Sequence, residues 1–115
     1  MAYSSREIAW IAHEANRAVQ ALNGDEMPSL PWIWEPRWLR RSTEAGVLRV
    51  QAGMTPEQNH EQWLADKTAQ DWHYGPEKDN EQRLHPCMVP WAELPAREQA
   101  KARLFCAIVL ALSEG

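Results

Sequence analysis

Eight prolines and two capping boxes divide this chain into four helical stretches and leave little room for any other arrangement. Pro28, Pro31 and Pro36 form one cluster, and Pro76, Pro86 and Pro90 another. Proline has no amide hydrogen and its ring clashes with the preceding turn, so no helix runs through either cluster. Ser4 and Glu7 have capping-box spacing, and Ile8, Ile11, Ala12, Ala15, Val19 and Leu22 follow along one helical face. Asn23-Gly24 tolerates a left-handed stop, which predicts a first helix over about 5–22. Pro36 fits the first turn of a second helix running to about Gln51, with Trp38, Arg41, Ala45, Leu48 and Ala52 on one face and Gly53 ending it. Thr55-Pro56-Glu57-Gln58 opens a third helix that continues to about Gln70 and puts His60, Trp63, Leu64 and Lys67 on one side. Residues 72–90 read as irregular, with a short ribbon joining 72–74 to 87–89. Pro95 starts a fourth helix, expected to bury Ala100, Leu104, Ile108 and Leu112 alongside Phe105 and Val109. The expected fold is mainly α: a small four-helix domain with a short two-stranded β element. One domain spans 1–115, with an N-terminal helical half at 5–54 and a second half at 55–115 that holds most of the chemistry.

Charge and cysteine usage narrow the function. The net charge of −4 sits entirely in residues 55–115, which carry six basic and ten acidic side chains; residues 1–54 balance at six and six. The basic footprint of a nucleic-acid polymer binder is missing. Cys87 and Cys106 are too few for a disulfide framework. Residues 1–20 alternate charged and apolar side chains, so no signal peptide is expected. The longest apolar run, Leu104 to Leu112, is nine residues and far short of a membrane span. A cytoplasmic protein with reduced thiols is the expectation.

The run from His60 to Pro95 holds the densest chemistry. His13-Glu14 and His60-Glu61 begin like a zinc-protease motif, but position 17 is Arg and position 64 is Leu, so no metal site is expected. Cys87 follows His85-Pro86 without a recognisable oxyanion loop, and a small buried thiol in an extended segment accounts for it better than a nucleophile does. The five glycines form no phosphate-cradling loop. Aromatic recognition is what remains. Trp63, Trp72 and Tyr74 are candidates to clamp a planar base, at about 1–3 kcal/mol per stacked ring. Lys67, Lys78 and Arg83 are candidates for phosphate contacts, Asp79 and His85 for ribose hydroxyls, and His60 lies on the Trp63 face. Trp63 reads more readily as core, and Trp72 equally well as core or contact. Gly75, Pro76, Pro86 and Pro90 read as turn formers.

The same run resembles the RyR domain, the module repeated in ryanodine-receptor calcium channels and also found as small free-standing proteins in bacteria and phages. The matching residues are His60, Glu61, Trp63, Lys67, Trp72, Tyr74, Gly75, Pro76, Asp79, His85, Pro86, Val89, Pro90, Leu94 and Pro95. Asp71 stands where the family usually has Gly, and Trp91 where Phe or Tyr is usual. The resemblance implies a short free-standing form: a non-catalytic module without a cofactor that binds an adenine nucleotide, cyclic nucleotide or ADP-ribose derivative. By carry-over the ligand-binding set is Trp72 and Tyr74, with Lys67, Asp79, Arg83, His85 and His60 around them. In the channel two modules share a site, which implies a homo-oligomer here. The implied role is a sensor, or a sponge that sequesters an immune signal, in the host cytoplasm if the chain is phage-encoded. The alternative is a protein-docking module, for which Trp32 and Trp34 in the proline-rich loop suit a hot spot.

Overall fold

Both capping boxes form. The Ser4 hydroxyl accepts from the Glu7 amide at 3.1 Å and the Glu7 carboxylate accepts from the Ser4 amide at 2.9 Å. Thr55 and Gln58 repeat the exchange at 3.2 and 3.0 Å. Helices α1 (Ser5–Leu22) and α3 (Pro56–Ala69) therefore begin where the sequence places them. Helix α2 (Arg37–Gln51) starts one residue later than expected, because Pro36 is its extended cap residue and not its first helical one. Gly53, with φ of 105°, ends that helix in a conformation closed to most side chains. Helix α4 (Ala96–Ser113) completes the set. The computed structural model describes residues 2–26 and 28–113.

Three helices make the core. Ile8 and Ala9 of α1, Val47 and Val50 of α2, and Cys106 and Val109 of α4 are buried together with Trp32, and Phe105 and Leu112 pack against them. Each fully buried aliphatic side chain contributes about 1.5–3 kcal/mol relative to exposure. Trp32 lies in a short 3₁₀ turn, Trp32–Trp34, inside the proline-rich loop. That loop has little regular structure, so the polar side of α1 holds it. His13 donates to the Leu30 carbonyl at 2.7 Å, Arg17 to the Ser29 carbonyl at 3.1 Å, and Glu14 accepts the Trp32 amide at 2.9 Å.

The shared face of α2 is not its buried one, and α4 buries only part of its expected face. The buried side of α2 is Gly46, Val47 and Val50. Gly46 lets the Phe105 ring approach, at 3.4 Å from where a Cβ would stand. Trp38, Arg41 and Ala45 instead face α3, where they line a cleft, and Leu48 is exposed. On α4 Val109 is buried as expected and Phe105 and Leu112 pack against the core, but Cys106 is buried as well and Ala100 and Leu104 are exposed.

The ribbon is also displaced. Strand β1 (His73–Tyr74) pairs in parallel with β2 (Leu84–His85), His73 opposite Leu84 and Tyr74 opposite His85. Residues 87–89 are not part of it. Pro86 has no amide hydrogen to continue a ladder. Beyond it the chain curls around His85, whose Nδ1 accepts the Cys87 amide at 3.0 Å. Gly75 lies so close to β2 that an added Cβ would stand 2.7 Å from that of Leu84. Asp71 takes φ of 66°, the left-handed turn that glycine would supply more easily.

Candidate functional site

The residues of the His60–Pro95 run hold one another. His60 donates to the Val89 carbonyl at 2.7 Å, and Glu61 accepts the Trp91 amide at 2.8 Å. One turn of α3 thus ties down the Val-Pro-Trp segment. The His60 ring lies 5.6 Å from Trp63 and 5.9 Å from Trp91, and the His85 ring meets Trp63 edge-on at 5.1 Å. The result is a cluster of two imidazoles and two indoles, each ring half-buried.

Lys67 lies one turn further along α3. Its ammonium stands 4.7 Å from the Trp38 ring and 5.1 Å from Trp72, and the residue is only 5% exposed. Trp72 is 6% exposed and packs on Trp38 at 5.4 Å. Its ring is interior structure. Asp79 folds the 75–83 connection: its carboxylate accepts the amides of Glu81 and Gln82, each at 3.0 Å. Arg83, at φ of 59°, donates to the Gln70 carbonyl at 2.9 Å. Tyr74, at 59% exposure, and Arg83 are the exposed members of the predicted set.

Two clefts flank this cluster. The larger, about 1030 Å³, is lined by His60, Trp63, His85 and Phe105, and reaches Gln20 and Glu35 at the α1 end. The smaller, about 510 Å³, lies between α2 and α3 and is lined by Arg37, Trp38, Arg41, Asp66 and Lys67. Arg49 and Ser42 border both. The predicted residues are thus divided. His60, Asp79 and His85 belong to the large cleft, and Lys67 to the small one. Trp72, Tyr74 and Arg83 line neither.

The sequence profile of the RyR domain matches residues 48–111, more than half of the chain. The chain belongs to the RyR domain family. The matched stretch starts at the end of α2 and takes in α3, the ribbon and nearly all of α4. In this RyR domain the motif residues therefore account first for architecture: His60, Glu61, Lys67, Trp72, Asp79 and His85 each have a partner inside the chain.

The electrostatics of the RyR domain are set by burial. His85 is driven down to about 3 by desolvation, helped by Lys78, Lys67, Lys101 and His60, and is therefore neutral near pH 7. Its Nδ1 accepts a hydrogen bond, so its proton is on Nε2. The Cys87 thiol is not paired with it. The thiol donates to Glu98 at 3.2 Å, and burial together with that carboxylate pushes it up to about 12. A thiol in that setting is not poised as a nucleophile. Arg37 and Arg41 of the small cleft lie outside the dense run, and the sequence places only Arg41 beside Trp38, as a face-mate and not as a site residue. Their spacing of four, flanking Trp38 on a helix that faces Lys67, is the signal that was present.

Proposed function

We propose that this RyR domain binds a nucleotide-derived small molecule without transforming it, as a sensor or a sponge, and does so as a homo-oligomer. The large cleft carries the reading. Its volume of about 1030 Å³ is at the upper end of what small-molecule sites use. One wall offers the rings of Trp63, His60, His85 and Phe105, a surface suited to a planar base. The remaining wall is rich in acceptors: Glu35, Asp79 and Glu98 suit exocyclic amines and ribose hydroxyls. The neutral His85 adds an N–H donor. Both the thiol-to-carboxylate hydrogen bond at Cys87 and its raised pKa favour binding over covalent chemistry. A native mass spectrum of the purified protein tests this. The expected result is a protein-bound species of nucleotide mass, recovered chemically intact on denaturation. A ligand recovered as hydrolysis products would contradict the non-catalytic part.

A second reading has its own observation. Trp32 of the expected hot spot is buried, but Leu30, Ile33 and Trp34 of the proline-rich loop are exposed, Trp34 at 71%. Exposed apolar side chains suit docking to another protein. Retention of one stoichiometric protein partner that Trp34→Ser releases, with no small molecule bound, would favour docking.

A further inference from the structure

The small cleft differs from the large one in charge. Arg37, Arg41, Arg49 and Lys67 line it against a single carboxylate, Asp66, in a chain whose net charge is −4. Asp66 is occupied by Arg49, whose Nη1 lies 3.4 Å away. Among the described residues, no carboxylate pairs with Arg37, Arg41 or Lys67.

Lys67 is the telling residue. It is 5% exposed, and its ammonium has ring faces for neighbours but no hydrogen-bond acceptor among the described residues. Burying an ammonium this way is costly. Desolvation and the nearby Lys78 pull its pKa down. The two indole faces offset part of that cost through cation–π contact. An anion brought to the cleft would offset the rest. Helix α2 points the same way. Its first two residues, Arg37 and Trp38, line the cleft, and its N-terminus has neither a side-chain cap nor an acidic residue in the first turn. Both α1 and α3 have both. Free amide hydrogens at a helix start favour an anion.

We propose that the α2–α3 cleft is an anion site that takes the phosphate group of a small soluble ligand. Arg37 and Arg41, one turn apart, supply guanidinium forks that match phosphate oxygens in pairs. Lys67 supplies a point charge from below, against the Trp38 and Trp72 rings. Where the phosphate is that of a nucleotide the site rests on the reading above, with Arg49 and Ser42 bordering both clefts; the anion site itself does not depend on it.

The test is calorimetry at low salt with inorganic pyrophosphate, AMP and adenosine, on the wild type and on the double variant Arg37→Gln/Arg41→Gln. Both arginines are exposed, so the variant keeps the core, and circular dichroism checks this. Pyrophosphate is expected to bind the wild type, at least tenfold more weakly to the variant, and more weakly as salt is raised. Adenosine is expected to bind both proteins equally. Wild-type affinity for pyrophosphate in the variant, or no pyrophosphate binding by the folded wild type, would overturn the site. So would binding to phosphoinositide vesicles, titrated in a parallel arm, without binding to free pyrophosphate. Pyrophosphate binding without any adenosine or AMP binding would uphold the anion site and count against the nucleotide reading alone.

Discussion

Between α1, α2 and α4 the most deeply buried side chains are Ile8, Val47, Val50 and Val109, which have no polar atoms. Between α2, α3 and the ribbon the packed side chains are Trp38, Trp63, Trp72, His60, His85 and Lys67. The first region is held by burial, which asks only for apolar volume of the right shape. The second is held by partners: an imidazole on a carbonyl, a carboxylate on an amide, an ammonium between two indoles. Burial can be met by many sequences; partnered contacts cannot. That difference explains why the second region stands out as a motif. It also explains why a motif residue is not thereby a ligand residue.

Trp72 is where this comparison is easiest to break. Truncating it removes a buried ring packed on Trp38 and uncovers Lys67. Trp72→Ala is expected to cost about 3–5 kcal/mol in denaturant unfolding, as much as Ile8→Ala in the aliphatic core. A cost under about 1 kcal/mol would make Trp72 a surface platform and return it to the ligand. Gly75 tests the ribbon. Gly75→Ala forces a Cβ against Leu84 and is expected to cost about 1–3 kcal/mol, measured the same way.

Protonation separates the regions next. His85 is neutral in the folded protein down to about pH 3, whereas in the unfolded chain it titrates at the ordinary value of 6.5. The unfolded state therefore binds the extra proton between those values, so stability is full above about pH 6.5 and falls as pH is lowered. One proton excluded corresponds to a slope of about 1.4 kcal/mol per pH unit. Unfolding measured from pH 7 to 4 should show that slope reduced in His85→Gln. Asp71 gives the smallest effect. Asp71→Gly relieves a left-handed backbone at the loss of an exposed contact to His73, and is expected to raise stability by under about 1 kcal/mol.

The helices were legible because their ends are written in local chemistry. Ser4, Glu7, Thr55, Pro56 and Gln58 act within one turn of themselves. Which side of α2 would be buried was not legible, and that of α4 only in part, at Phe105, Val109 and Leu112. It depends on Gly46 admitting Phe105, a contact between distant positions. The ribbon's register depended in the same way on the His85 imidazole taking the Cys87 amide. The site was half legible. His60, Asp79 and His85 do line the large cleft, and Lys67 the small one. Arg37, Arg41 and Trp38 reach the small cleft only because α2 turns that face toward α3, and no local pattern states that.

The central claim is that the ring wall of the large cleft is a binding surface and not only packing. Calorimetric titration of ATP, cyclic di- and trinucleotides and cyclic ADP-ribose isomers into the wild type and Trp63→Ala tests it directly. At least one of these is expected to bind the wild type, and to bind folded Trp63→Ala roughly 5- to 150-fold more weakly, the range for one lost stacking contact. Equal affinity in the two proteins, or no binding of any of them to the folded wild type, would contradict it.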